Sequence, residues 1–347
     1  MNVAIELAER GLLPDRLVRA GIRNLLRRRR EDESAKAARP GAEAAWLKRM
    51  ADSPIALETG AANLQHYEVP SAFFEAVLGP QLKYSSCLFP PGVDDLGRAE
   101  TAMLSLTAER ARLADGQRVL ELGCGWGSLT LWMARHFPNA SITGVSNSRS
   151  QREYILGRAR AAGLGNVSII TADVNRFEAE GPYDRVVSVE MFEHVRNWQA
   201  LLARVHGWLA ADGRLFLHFF AHQQLSYPFE SVADDDWMGR HFFSGGMMPS
   251  VGLLRRLRIP FNVVEEWEVG GEHYAKTAEA WLENLDRNTE AMTRLFARDL
   301  GREHAARQVQ RWRMFFLSCA ELFGFEGGHE WVVAHALLAP SSIGGRT

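Results

Sequence analysis

The chain has 347 residues, of which 46% are hydrophobic, and its formal net charge at pH 7 is −2. This length suits one large domain with additions, or two domains, and buries a sizeable core. The near-zero charge argues against nucleic acid as the main partner. Cys87, Cys124 and Cys319 lie far apart, without the spacing of a metal site or a disulfide framework. We therefore expect a cytoplasmic protein with reduced thiols and with no metal or nucleic acid bound.

The N-terminal residues show an amphipathic helical pattern that is broken at Gly11 and Pro14 and ends in arginines at 27–30. They lack the apolar core of a signal peptide, and no apolar run approaches the roughly 20 residues of a membrane span. The arginine run is typical of a solvated helix end, and a peripheral contact with anionic lipid is the alternative. The polar, alanine-rich segment 31–45 contains Pro40 and Gly41 and is interpreted as a linker.

Residues 119–129 (VLELGCGWGSL) are the most informative segment of the chain. They predict the strand, glycine turn and helix of a nucleotide-binding α/β fold. A dinucleotide fingerprint needs a glycine at Ser128 and an acid at the end of the second strand, whereas the segment 141–147 has no acid. Glu121 instead suits a ligand that has a cationic amino group and no pyrophosphate. S-adenosylmethionine (SAM) fits that description.

Five short apolar runs alternate with helical patterns and predict a parallel sheet with helices on both faces: 118–122, 141–145, 167–171, 185–189 and 214–219. Two further candidate strands, 261–269 and 331–338, would close this sheet. The helical stretch 277–325 is too long for a connection. We expect it to form an inserted cap over the carboxyl ends of the strands, where ligands bind in such sheets.

The end of the fourth predicted strand carries Glu190, Glu193 and His194. In a helical turn these side chains share one face, and clustered acids in a cleft perturb one another's pKa values. They are the candidate acid–base residues, and the alternative is a charged loop with ordinary surface ion pairs. His218 ends the fifth strand at the same edge of the sheet.

An aromatic stripe runs along one face of the predicted helix 311–325 and consists of Trp312, Phe316, Cys319 and Phe323, with Phe315 and Leu322 alongside. Such a stripe is usually part of the core. Because this one belongs to the predicted cap, it would form an aromatic ceiling over a carboxylate floor, which suits a hydrophobic cation. Cys87 fits a buried small hydrophobe and a functional group equally well, whereas His218 and Tyr274 taken alone are more often structural than catalytic.

Several motifs resemble the cyclopropane-fatty-acyl-phospholipid synthase family of SAM-dependent methyltransferases, which includes mycolic acid cyclopropane synthases: 66–70, 82–87, the glycine loop and 192–194. Within that family, further motifs resemble the plant coclaurine and pavine N-methyltransferases: 190–194, 234–237, 273–277, 312–316 and 320–324. The resemblance implies an α/β fold with the Rossmann-like sheet of class I SAM-dependent methyltransferases, a helical N-terminal extension and an inserted helical cap. We expect these segments: 1–115 as the extension covering the cofactor, 116–272 as the SAM-binding core, 273–330 as the cap that forms the acceptor pocket, and 331–347 as the final core strand and tail.

The resemblance also implies contacts with SAM by residues at the carboxyl edge of the sheet: Tyr84, Ser85, Glu121, Gly123, Cys124, Gly125, Gly127, Asn147, Gln151, Asp173 and Val174. Gln151 sits where family members reach the ribose or adenine, in place of the acid that the second strand lacks. In the cyclopropane synthases a bicarbonate ion acts as the base, and its surroundings match Cys87, Glu193, His218 and Tyr274. Those synthases carry a glycine at the position of Glu190, whereas the N-methyltransferases have the whole Glu-x-x-Glu-His cluster. Glu190 therefore favours an amine acceptor.

We expect a SAM-dependent methyltransferase that methylates the nitrogen of a small hydrophobic amine, arylalkyl or tetrahydroisoquinoline-like, and releases S-adenosylhomocysteine. His194, supported by Glu193, would take the proton, and Glu190 would hold the ammonium. The expected substrate pocket contains Cys87, His218, Tyr274, Trp312, Phe315, Phe316 and Phe323. One alternative is a cyclopropane synthase or lipid C-methyltransferase that acts on unsaturated acyl chains with bicarbonate. Another is a non-catalytic SAM-binding protein, and a homodimer is left open.

Overall fold

One large sheet organises the residues that this computed structural model describes, which are 3–57, 69–229, 237–242 and 245–341. The strands are β1 (Arg118–Leu122), β2 (Ser141–Ser146), β3 (Val167–Thr171), β4 (Tyr183–Val189), β5 (Leu209–His222), β6 (Tyr227–Pro228), β7 (Met247–Met248), β8 (Phe261–Val269) and β9 (Trp331–Pro340). Seven of them form the order β3-β2-β1-β4-β5-β9-β8, and β6 pairs with β7. Strands β1 to β5 are parallel, whereas β9 is antiparallel to both β5 and β8. The predicted α/β class is confirmed.

Every predicted strand forms, and β1, β3 and β8 have the predicted bounds. Val186 and Val187 of β4 are both fully buried, as expected for a parallel strand covered by helices on both faces. Strand β5 extends beyond its predicted end because β9 pairs with it as far as His222 opposite Trp331. The candidate residues at the ends of β4 and β5 therefore lie on a fully paired part of the sheet.

Twelve helices are described: α1 (Val3–Glu9), α2 (Asp15–Ala37), α3 (Ala42–Ala51), α4 (Ser71–Val77), α5 (Leu96–Arg110), α6 (Ser128–His136), α7 (Arg149–Ala161), α8 (Trp198–Trp208), α9 (Trp237–His241), α10 (Gly271–Arg287), α11 (Thr289–Leu300) and α12 (Arg302–Phe323). Short 3₁₀ helices cover Phe192–His194, Leu254–Arg256 and Phe325–Gly328. The stretch predicted as one cap segment forms α10, α11 and α12. They are separated at Asn288 and at Gly301, which has a φ of 75°.

The predicted linker 31–45 is wrong, because most of these residues are helical. Helix α2 continues to Ala37 and α3 begins at Ala42, so only the turn around Pro40 and Gly41 separates them. Alanine and charged residues with long side chains favour helix, and the pair Glu33–Lys36 adds a 2.7 Å ion pair on one face.

The arginines at 27–30 do not form the predicted helix end, because they lie in the middle of α2. Arg30 lies 3.5 Å from Glu330 and stacks over the ring of Phe325 at 5.3 Å. The predicted breaks at Gly11 and Pro14 are confirmed, since they separate α1 from α2.

The N-terminal helices pack against the cap helices through ion pairs. Arg19 of α2 bridges Glu279 of α10 at 2.6 Å and Glu321 of α12 at 3.0 Å. Glu9 of α1, which is 3% exposed, accepts hydrogen bonds from Arg307 and Arg311 of α12. Partly buried charge pairs thus join the N-terminal helices to the cap helices.

Parts of two motifs compared above lie outside the described residues: 66–68, and Asp234, Asp235 and Asp236. In the part of the chain that is described, no helix has the length and apolar character needed to cross a membrane. The same residues contain no group of His, Cys, Asp and Glu side chains arranged to hold a metal ion.

Candidate active site

Two clefts of about 850 and about 610 Å³ lie at the carboxyl edge of the sheet, and both are lined by the glycine loop between β1 and α6. Gly123, Gly125 and Gly127 have φ values of 80°, 51° and 83°. A Cβ atom at Gly123 would lie 2.7 Å from the side chain of Met191, and one at Gly127 would lie 2.7 Å from Ile155. The loop therefore needs glycine both for its backbone conformation and for space.

The larger cleft is lined by the ends of β2 and β3, with Asn147, Gln151, Asp173 and Val174 among its walls. The Oε1 atom of Gln151 accepts a 2.6 Å hydrogen bond from the Ser146 hydroxyl. Its buried Nε2 group has no hydrogen-bond partner. An orphaned buried donor is costly unless a ligand accepts from it, so Gln151 fits an acceptor atom of a nucleoside.

The smaller cleft is lined by polar groups that suit an amino acid: Tyr84, Ser85, Glu121, Cys124 and Ser128. Glu121 is 3% exposed and accepts a 2.5 Å hydrogen bond from the Thr130 hydroxyl. Burial raises its pKa to about 7, against the bond from Thr130 and the charge of Lys83. All of the predicted cofactor residues line one or both clefts except Gly127, which caps the start of α6.

Lys83 lines the smaller cleft and was missed by the sequence analysis. Lys83 is 2% exposed, and its ammonium donates a 2.5 Å hydrogen bond to the Ser85 hydroxyl. Burial lowers its pKa, while the nearby carboxyl groups of Glu190, Glu100 and Glu121 act in the opposite direction. A lysine inside an otherwise apolar segment is a signal of a buried charge partner, because an unpaired buried ammonium is strongly unfavourable.

Glu190 lies where the two clefts meet and lines both of them. Its Oε1 atom accepts from the Ser86 backbone N–H at 2.8 Å and lies 3.2 Å from His218 Nε2, and its Oε2 atom accepts from the Tyr274 hydroxyl at 2.6 Å. The backbone of Glu190 has a φ of 49°, which is strained for a residue with a Cβ atom. Its pKa is raised by burial, and Lys83, Tyr274 and Ser86 act against that increase.

Glu193 and His194 belong to the 3₁₀ helix after β4 and face different surroundings. His194 lines the larger cleft. Glu193 is fully buried, and its Oε1 atom accepts from the Phe220 backbone N–H of β5 at 2.7 Å, while Oε2 has no partner. Burial and the nearby charge of Glu190 raise its pKa well above the usual range. Glu193 therefore anchors the 3₁₀ helix to the sheet instead of lining either cleft.

The predicted pocket residues fall into two groups. His218 and Tyr274 contact Glu190 directly, and Cys87 lies beside them with its backbone N–H bonded to the Thr277 hydroxyl at 3.0 Å. Burial raises the pKa of the Cys87 thiol to about 12, so the sulfur stays protonated.

The aromatic rings of α12 pack behind this group, in the core between α4, α10 and α12. Phe323 stacks on Tyr274 at 4.1 Å, and Trp312 lies 6.5 Å from the ring of Tyr84. Phe315 and Phe316 each lie within 5.8 Å of Trp312. The rings thus pack against Tyr84, which lines the smaller cleft, and against Tyr274, but neither Tyr274 nor the α12 rings line either of the two clefts.

Arg110 and His335, which no motif in the sequence marks, continue the polar contacts behind His218. His335 Nε2 lies 2.9 Å from His218 Nδ1, and Arg110 Nη1 lies 2.8 Å from His335 Nδ1. No sequence signal pairs these residues, because 117 positions separate His218 from His335.

Comparison with known proteins identifies relatives along most of the chain. The family model described as mycolic acid cyclopropane synthetase matches residues 58–328. An (S)-coclaurine N-methyltransferase of Thalictrum flavum subsp. glaucum is 39% identical over 287 residues, which cover 82% of this chain and 80% of that protein. The cyclopropane-fatty-acyl-phospholipid synthase of Escherichia coli (strain K12) is 31% identical over 265 residues, which cover 73% and 66%. A crystal structure of coclaurine N-methyltransferase bound to N-methylheliamine and SAH has 35% identity and a TM-score of 0.90, covering 97% of this chain and 98% of that one.

Proposed function

The chain belongs to the mycolic acid cyclopropane synthetase family and is a SAM-dependent methyltransferase, and on that basis we propose that it methylates the nitrogen of a hydrophobic, isoquinoline-like amine. Relatives that are named for coclaurine, pavine and tetrahydroprotoberberine N-methylation support this class of acceptor. The relative named for cyclopropane-fatty-acyl-phospholipid synthesis has lower identity, at 31%.

The hydrogen bonds of Glu190 carry the proposal. The resemblance to cyclopropane synthases places a bicarbonate base among groups that match Cys87, Glu193, His218 and Tyr274. In this chain the Glu190 carboxylate accepts from Tyr274 and lies within hydrogen-bond distance of His218. The carboxylate of Glu190 therefore occupies the hydrogen-bond donors that a bicarbonate ion would need. The same carboxylate puts negative charge at the junction of the clefts, where it attracts an ammonium group.

Bound SAM supplies an electrophilic methyl group on a positively charged sulfur atom. Gln151 Nε2 and the glycine loop would hold its nucleoside, and Glu121 would face its amino group. These residues fit, because Gln151 offers an unused buried donor and the loop has no Cβ atoms in the way.

Glu190 and His194 have different roles toward the amine that accepts the methyl group. Glu190 holds the incoming ammonium at the junction of the clefts. His194, on the wall of the larger cleft, accepts the proton that this nitrogen must lose before its lone pair can attack the methyl carbon. Because most of the rate increase in methyl transfer comes from placing the two reactants together, these residues act chiefly by orienting the nitrogen.

Glu193 is a positioning residue in this proposal. The hydrogen bond from the Phe220 N–H joins the 3₁₀ helix that carries His194 to the backbone of β5. Glu190 accepts from three neighbouring groups, whereas Oε2 of Glu193 has no partner, so the proton that such a pair retains resides on Glu193 and the charge on Glu190. Tyr274 of α10 donates to Glu190 and so connects the cap helices to this site.

A labelled-methyl transfer assay tests the proposal. Labelled SAM is supplied with tetrahydroisoquinolines, with arylalkyl amines, or with vesicles of unsaturated phospholipid, in buffer with and without bicarbonate. We expect label in the amines at rates that do not depend on bicarbonate. Label in the acyl chains that requires bicarbonate would establish the lipid reaction instead. Binding of SAM with no transfer to any acceptor would establish a binding protein.

A further inference from the structure

A continuous line of polar contacts leads from Glu190 through two strands to α5. Glu190 Oε1 lies 3.2 Å from His218 Nε2, His218 Nδ1 lies 2.9 Å from His335 Nε2, and His335 Nδ1 lies 2.8 Å from Arg110 Nη1. His218 of β5 and His335 of β9 are directly opposite each other in the antiparallel pair. The strand register thus fixes the distance between the two imidazoles.

Arg110 determines where every proton in this line lies. A guanidinium has only N–H donors, so His335 Nδ1 must accept from it with a lone pair. A neutral imidazole has one N–H group, and in His335 this group is therefore Nε2–H, which donates to His218 Nδ1. The remaining proton of His218 is then on Nε2, and it donates to Glu190 Oε1.

Both imidazoles are neutral in this arrangement. His218 and His335 are each 1% exposed, and burial together with the charges of Lys83 and Arg110 lowers both pKa values well below the usual range. A doubly protonated His335 would also turn an N–H group toward Arg110. The network therefore leaves each ring with one donor and one acceptor, both of them used.

Packing against aromatic rings holds Arg110 and His335 in place at the end of these polar contacts. The Arg110 guanidinium lies over the ring of Trp267 on β8 at 4.9 Å. The rings of His335 and Phe216 lie roughly at right angles, with their centroids 5.2 Å apart. Neither Arg110 nor His335 lines the two clefts, so they act on the acceptor site only through His218.

We propose that Arg110 and His335 are positioning residues of the methyl-transfer site, because they fix the tautomer in which His218 donates to Glu190. In that tautomer Glu190 has a donor on Oε1 and keeps the negative charge that holds the ammonium. The opposite tautomer of His218 would turn a lone pair toward the carboxylate. The effect on catalysis rests on the proposed function, whereas the direction of the hydrogen bonds does not.

The first measurement is the tautomer of His218, by long-range ¹H–¹⁵N NMR on the full-length chain labelled at histidine and saturated with S-adenosylhomocysteine. We expect His218 and His335 to carry their proton on Nε2. Without the donor from His335, His218 Nε2 can accept from a protonated Glu190 instead of donating to its carboxylate, so in Arg110→Met and in His335→Leu we expect signals of the Nδ1–H form of His218 to appear as the pH is lowered. A wild-type His218 with its proton on Nδ1 would overturn the proposal.

The second measurement is turnover of the amine. Both variants let His218 lose its hydrogen bond to the charged Glu190 carboxylate. We therefore expect Arg110→Met and His335→Leu to lower kcat/KM about tenfold or more. His335→Gln should restore most of this loss, since its amide can accept from Arg110 and donate to His218. Val333→Ala is the matched control, because it removes fully buried side-chain atoms from the same strand without touching the polar line.

The control separates positioning from simple destabilisation. If Val333→Ala and His335→Leu reduce kcat/KM equally, and the His218 tautomer is the same in both, Arg110 and His335 are structural and the proposal is wrong. If the wild-type protein methylates no amine, the proposed function fails, and the NMR result still decides the direction of the hydrogen bonds.

Discussion

Replacing Glu190 by glutamine removes its negative charge and preserves its shape. The amide oxygen can keep the bonds from the Ser86 N–H and the His218 Nε2–H, which both reach Oε1. The amide nitrogen then takes the place of Oε2 and donates to the Tyr274 hydroxyl, whose oxygen lies 2.6 Å away. The site stays hydrogen-bonded, so the variant tests the charge itself.

The expected loss follows from the environment of the carboxylate. The Glu190 side chain is 8% exposed, so water screens its charge weakly. A hydrogen bond to a charged group contributes about 1.5–3 kcal/mol in such surroundings. Losing that interaction with the ammonium lowers kcat/KM roughly 10- to 150-fold. Because the pKa of Glu190 is raised above 4.5, the activity of the wild-type protein should also fall when the pH decreases through that raised pKa and the carboxylate is protonated. The Glu190→Gln variant should lack this fall in activity.

Initial rates of labelled-methyl transfer to a tetrahydroisoquinoline measure this loss. Glu193→Gln is the matched control, because Glu193 is buried in its protonated form and an amide copies a neutral carboxyl. We expect Glu193→Gln to retain activity within about threefold of wild type, since the Phe220 N–H still has an acceptor. The assignment of charge to Glu190 would be refuted by equal losses in the two variants, or by full activity in Glu190→Gln.

Three further predictions concern the same edge of the sheet. His194→Gln should lower kcat with the amine about a hundredfold or more, because it removes the proposed base, and initial rates at saturating SAM measure it. Gly123→Ala should abolish most S-adenosylhomocysteine binding in calorimetry, because its Cβ would lie 2.7 Å from Met191 at a φ of 80°. Because the folded-state pKa of Glu193 is raised, its contribution to stability is complete below about pH 4.5 and is lost as the pH rises through the folded value. Glu193→Gln should therefore gain free energy of unfolding relative to wild type as the pH rises above about 4.5, as measured by urea denaturation at a series of pH values.

The strands were predictable from the sequence because their signals are local. Each parallel strand is a short apolar run between turns, and β1 and β3 begin and end where the pattern does. The glycine loop was predictable for the same reason, since its Gly-x-Gly-x-Gly spacing directly follows the strand. The predicted β5 was too short because its last residues pair with β9, which is far away in the sequence.

The N-terminal helices and the polar contacts around Glu190 were harder to predict because they depend on distant residues. Segment 31–45 is polar, but α2 packs on α12 and α3 packs on α8, and composition does not reveal these contacts. The sequence placed Glu190, Glu193 and His194 together by their spacing. It gave no indication that Glu193 faces β5, or that Lys83 is buried beside the cofactor cleft.

Two contacts with His218 of β5 determine the position of Glu190. Its backbone N–H donates to the His218 carbonyl at 2.8 Å, and its carboxylate lies beside the ring of the same residue. These contacts, with the bonds from Ser86 and Tyr274, hold the backbone of Glu190 at its strained φ of 49°. Because β9 in turn fixes His218 through His335, a change in the pairing of β5 and β9 would move the charge at the junction of the clefts without altering any residue that lines them.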